Sequence, residues 1–80
     1  MRVMDEVIEL GGLGIALLCV EGNPRSGMRI RDARGNVHTV ADVAEQDGLR
    51  TLYLPEGDAD YFGRLFRDVR IDATLFEEAE

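Results

Sequence analysis

His38 is the one histidine of the sequence and Cys19 the one cysteine, the two side chains from which a nucleophile–base pair could be assembled. They lie far apart in the chain, and Cys19 sits inside an apolar run, so only an accident of folding would join them. Ser26, the sole serine, has no nucleophile-elbow context. Glu56, Asp58 and Asp60 gather around Gly57, and oxygen ligands at alternate positions suit calcium. The order of a calcium loop and its later glutamate are missing, however, so turn and capping roles are expected. Arg64, Arg67 and Arg70 recur at intervals of three with Tyr61, Phe62 and Phe66 between them, a composition that can hold phosphate and stack on bases. On a helix the three arginines cluster, whereas on a strand Arg67 faces away from the other two. Asp58, Asp60, Asp68 and Asp72 stand close enough to neutralise them, so a salt-bridged surface is expected. No Cys/His metal spacing and no carboxylate pair with glycosidase context occurs. The residues point to no enzyme, metal or cofactor.

Composition narrows the classes further. The 80 residues suffice for one domain, and the balance of 9 basic and 16 acidic residues leaves a formal charge of −7. That sign disfavours nonspecific nucleic-acid binding and anionic membrane surfaces, both of which reward a basic excess. Apolar types make up 45% and charged types 31%, too apolar for a disordered chain. A lone cysteine forms no internal disulfide, which fits a reducing, cytoplasmic setting. The longest apolar stretch, residues 13–20, falls far short of the roughly 20 residues that span a bilayer. Arg2 alone precedes it as a basic residue, so it does not read as a secretory signal.

The elements that must position these residues are short. Glycine and Pro24 and Pro55 punctuate the chain every 8 to 12 residues, the spacing of an all-β sandwich or barrel. Arg2 to Leu10 reads as a first strand. Ile15 to Val20 is apolar without interruption, as in a strand buried on both faces. Met28 to Arg31, Val37 to Val40 with Val43, and Leu49 to Leu54 read as further strands. Loops or turns at residues 21–27, 32–36, 46–48 and 55–58 separate them. The expected core comprises Val7 or Ile8, Leu10, Ile15, Leu17, Cys19, Ile30 and Val40, continued by Val43, Leu52, Leu54, Leu65, Val69 and Leu75. Residues 61–69 admit two readings. Tyr61, Phe62, Leu65, Phe66 and Val69 form a helical stripe that Asp58 or Asp60 could cap, but Gly63 in the middle costs about 1 kcal/mol relative to alanine.

Met4 to Gly14 (MDEVIELGGLG) resembles the opening of the second domain of translational GTPases of the elongation factor Tu kind. That domain has a first strand with an acidic pair, a valine and a large apolar residue before a Gly-x-Gly turn. Val20-Glu21-Gly22 and Ser26-Gly27-Met28 resemble the next strand end and the entry to strand three, and residues 60–69 resemble a late glycine-containing strand. Ala59, Asp68 and Ala73 stand where the family has glycine, which puts loop geometry in question. The resemblance implies an all-β fold, a small closed antiparallel β-barrel over residues 1–76 with at most one short helical turn near residues 58–62. Residues 77–80 are left as a frayed acidic tail, and residues 61–69 are expected as strand. The phosphate-binding loop of a GTPase is missing and the chain has no lysine, so that chemistry is excluded.

What the resemblance implies for function is a non-enzymatic binding module that contacts a protein, ribosome or transfer RNA-associated partner. Asp5 and Glu6 match the acidic pair at the family's pocket for the aminoacylated adenosine end of transfer RNA, Ile8 matches its apolar wall, and Ile15 is a further candidate. On a bare surface the same two carboxylates would be solvated charges or would blunt a sheet edge. The charge of −7 favours a basic protein surface over RNA. The alternative is a barrel that self-associates as a scaffold and has no nucleic-acid role.

Overall fold

Where apolar residues alternate between turns, the chain pairs into ladders. The computed structural model describes residues 1–79, with Arg70 and Ile71 described through their backbone only. Among the described residues it forms two antiparallel sheets and one α-helix. The larger sheet contains β1 (Arg2–Val3), β2 (Ile8–Glu9), β3 (Ile15–Glu21), β6 (Asp42–Gln46) and β7 (Leu49–Leu54). Its order is β1-β3-β7-β6, with β2 also paired to β3. The smaller sheet runs β5 (Val37–Thr39), β4 (Arg29–Arg31), β8 (Glu77–Ala79).

Two segments pass from one sheet to the other. Val40 and Ala41 lead from β5 directly into β6. The Val40 amide donates to the Met28 carbonyl and the Ala41 amide to the Tyr53 carbonyl, both at 2.9 Å. On the other side Met1 and Phe76 exchange backbone hydrogen bonds of 3.0 and 2.8 Å. Arg2 bridges Leu75 just before the chain enters β8. The β6–β7 hairpin closes with Asp47-Gly48, both at positive φ (53° and 81°). That is the twist a two-residue hairpin requires.

Side chains from both sheets and the helix share one buried cluster. Ile15, Leu17 and Leu52 come from the large sheet, Ile30 from the small one, and Phe62 and Leu65 from the helix. Gly14 is required where the chain enters β3. A Cβ there would meet the Leu54 carbonyl oxygen at 2.5 Å. Gly57 is as tightly placed, 2.5 Å from where its Cβ would strike Ile15.

Residues 61–69 correct the strand expectation. Helix α1 spans Ala59–Asp68, ten residues, rather than one turn. The Asp58 carboxylate caps it by accepting from the Asp60 amide at 2.9 Å. Gly63 faces open space, so its cost is the intrinsic one of about 1 kcal/mol. Burying Phe62 and Leu65 contributes roughly 1.5–3 kcal/mol each, which decides the outcome for helix. A short 3-10 turn follows at Arg70–Thr74.

Other expectations are also corrected. Glu77–Ala79 is not frayed but pairs with β4, with Ala79 buried; Glu80 lies outside the described residues. Arg2 to Leu10 is not one strand, because a bend at Asp5 divides β1 from β2. Leu10 and Leu75 are exposed, and the core instead includes Val3, Ala73 and Phe76. Finally, β3 is not buried on both faces, since Val20 lies open and Leu18 half-buried.

Candidate functional site

The one buried charged side chain among the described residues is Asp32, at the start of the β4–β5 hairpin. Its Oδ1 accepts from the Arg34 and Asn36 amides at 2.9 and 3.0 Å, the local bonding that makes aspartate a turn former. Its Oδ2 lies 2.7 Å from His38 Nε2 and accepts from the Tyr61 hydroxyl at 2.6 Å. Burial by itself pushes this carboxyl up, but the bonds from His38, Tyr61 and the two amides outweigh it and hold the group below the usual carboxylate range. Asp32 is therefore ionised at neutral pH, and Nε2–H of His38 donates to it. Asn36 Nδ2 donates to the Tyr61 oxygen at 2.6 Å. Burial, and then the bond to Asp32, raises the Tyr61 phenol above its ordinary value.

This cluster ties the hairpin to the first turn of α1. Phe62 completes it, with its ring centroid 4.7 Å from that of His38. Beside it lies a shallow cleft of 250 Å³ that Glu56, Asp58 and Tyr61 help to line. Neither candidate nucleophile is directed at His38. The Cys19 thiol meets the Glu21 carbonyl and is buried, and the Ser26 hydroxyl donates to Asp42 at 3.1 Å. Asp58 is occupied as the helix cap. Arg67 pairs with Asp68, and the side chain of Arg70 lies outside what is described. Among the described residues no group of three or more His, Cys, Asp or Glu side chains is placed to hold a metal ion.

The expected pocket of Asp5, Glu6, Ile8 and Ile15 is not assembled as one. Asp5 and Glu6 are exposed at the bend between β1 and β2. Ile8 pairs with Ala16, and Ile15 pairs with Glu9, so the two isoleucines stand on opposite faces of the sheet. Ile15 is buried in the core, where it floors a 410 Å³ cleft beside Gly11 and Gly57. Asp5, Glu6 and Ile8 do not line that cleft.

Ile8 belongs instead to the outer face of the large sheet, with the exposed Asp5 and Glu6 at the bend on its β1–β2 margin. Cross-strand partners share a face, so the register gives its rows. One runs Ile8–Ala16–Tyr53–Asp42. The next runs Leu18–Thr51–Ala44, and Met4, whose amide donates to the Leu18 carbonyl at 2.8 Å, extends it. Val20 and Leu49 lie one step beyond the Cys19–Arg50 pair. Tyr53 donates to the Leu13 carbonyl at 2.6 Å across the end of the face. On this face Met4 is 38% exposed, Val20 49% and Leu49 44%, while Leu18 is half-buried and Ala16 buried, so the apolar surface is open toward its Val20–Leu49 end. Asp42 is the charged residue within its rows, and Asp5 and Glu6 at the β1–β2 bend and Asp47 in the β6–β7 turn stand at its ends. The sheet's Arg50 stands in the inward row with Cys19 and Glu45, and Arg2 reaches Thr74.

No family model, curated protein or solved structure matches the chain. No helix among the described residues is long and apolar enough to cross a membrane.

The sequence signal for Asp32 was the turn string Asp-Ala-Arg-Gly-Asn, which marks a tight connection. Its bond to Tyr61, 29 residues on, leaves no local trace.

Proposed function

We propose that this chain is a non-enzymatic binding module. In this reading it is a small closed antiparallel barrel related to the second domain of translational GTPases, and it engages a protein or ribonucleoprotein partner of the translation machinery. The observation that carries the binding reading is the open apolar face of the large sheet with Asp5 and Glu6 at its border. Contiguous exposed apolar surface on a small soluble domain marks an interaction site. The passage of the chain between sheets at Val40–Ala41 and at Leu75–Phe76 favours closure, because it joins the margins of the two sheets. The Asp32–His38 pair is spent on the fold, which favours binding over catalysis.

Amide NMR of the isotope-labelled chain tests this with purified ribosomal subunits as the probe, at about 0.1 M salt, where charges beyond about 10 Å are screened. Broadening that centres on Leu18, Val20, Leu49 and Thr51 is expected. An unchanged spectrum retires the translation partner. Sedimentation that rises in mass with concentration, with the same amides shifting, establishes the self-associating scaffold in its place.

A further inference from the structure

We infer that the outer face of the large sheet receives a basic amphipathic helix of a protein partner, an inference that rests on the binding reading above and names its partner's chemistry. A sheet edge recruits a strand through its free backbone groups, whereas a sheet face is covered by a packed layer, and a single helix is the smallest layer that can lie along one apolar stripe while carrying its own charges on either side. The apolar stripe from Met4 through Leu18 to Val20 and Leu49 offers the contact such a helix needs. Charge then selects among occupants. Asp42 ends one row of the face, Asp47 stands in the β6–β7 turn, and the exposed Asp5 and Glu6 stand at the bend between β1 and β2, while Arg50 is in the inward row and the Arg2 guanidinium is turned to Thr74. Nucleic-acid phosphates meet only like charge here, and the chain's −7 opposes them at longer range. A second copy would bring the same four carboxylates to the same face and double the repulsion. A helix with leucines on one side and lysines or arginines flanking them satisfies both the apolar stripe and its acidic border.

Three synthetic peptides of about 18 residues, with identical leucine positions at helical spacing and lysine, glutamine or glutamate at all others, test this. The readout is the amide spectrum of the chain. The lysine peptide is expected to shift Met4, Leu18, Val20, Leu49 and Thr51 and to bind about tenfold more tightly than the glutamine peptide at low salt. That margin should shrink as salt approaches about 0.5 M, where the Debye length falls to a few ångströms. The double change Asp5→Asn, Glu6→Gln should narrow the margin while leaving the glutamine peptide's affinity in place. Equal binding of lysine and glutamine peptides on this face overturns the charge selection and leaves the binding face standing. If no peptide shifts these amides, the face itself is lost as a site. An acceptor-stem RNA that shifts them more strongly than the lysine peptide overturns the choice of a protein.

Discussion

The Asp32 cluster and the outer face of the large sheet invert the usual arrangement of a small domain. One places a full charge inside, sealed and satisfied on every side. The other leaves leucine and valine outside, with Val20 49% and Leu49 44% exposed. The buried charge is explained by the fold: it closes a hairpin, orients His38 and pins the helix through Tyr61. The exposed Val20 and Leu49 make no contact with the core, which lies on the opposite side of the same strands.

That contrast makes opposite demands on mutations in the two regions. The largest effect is expected from Asp32→Ala, which strands two amides, an imidazole and a phenol, and should cost about 3–5 kcal/mol in urea unfolding at roughly 1–3 kcal/mol for each buried donor left unpaired. A domain of this size has little more to lose. A loss under about 1 kcal/mol, as for an ordinary surface position, would mean that the cluster does not hold the fold. Asp32 also sets a pH dependence. Its folded carboxyl titrates below the unfolded value of about 3.9, so its contribution is complete above that pH and is lost as pH falls through the folded value. Asp32→Asn should therefore flatten the dependence of the thermal midpoint on pH below about 4. An unchanged slope assigns acid sensitivity to other carboxylates.

Tyr61→Phe keeps the ring beside Phe62 and removes a donor to Asp32 and an acceptor for Asn36. A cost of about 1–2 kcal/mol is expected. Because the Tyr61 phenol is raised in the folded state, its contribution is lost as pH rises beyond about 10, and the phenylalanine variant should weaken that alkaline decline. The smallest stability effect belongs to the other region. Leu49→Gln should change stability by no more than about 0.5 kcal/mol while lowering affinity for the lysine peptide about tenfold. A large stability loss there would turn the apolar face into part of the core and dissolve the contrast.

How much of this was legible in the residues depended on range. Leu49 to Leu54 and the Asp47-Gly48 turn were plain, because alternation and turn chemistry are written within a few positions. The helix at residues 59–68 was half-legible. Its stripe and its Asp58 cap were visible, but Gly63 and the resemblance to a strand pulled the reading the other way. Gly63 costs only its intrinsic ~1 kcal/mol, less than the burial of Phe62 and Leu65 returns. Asp32 showed itself only as a turn residue, since its decisive partner comes from a distant helix. The apolar run of β3 was misleading in an instructive way. Uninterrupted hydrophobicity suggested burial on both faces, whereas on the outer one Val20 lies open and Leu18 is half-buried.

Of Asp5, Glu6, Ile8 and Ile15, Ile8 belongs to the outer face, while Ile15 turns inward because strand alternation separates neighbours. The two isoleucines therefore stand on opposite faces of the sheet, with the exposed Asp5 and Glu6 at the bend beside them.

The most direct test is a residue-by-residue linewidth map of the chain with ribosomal subunits present. The account predicts broadening confined to the outer rows, at Met4, Leu18, Val20, Leu49 and Thr51, with Asn36, His38 and Tyr61 unaffected. Broadening centred on the His38–Tyr61 cleft, with the outer rows sharp, would contradict it.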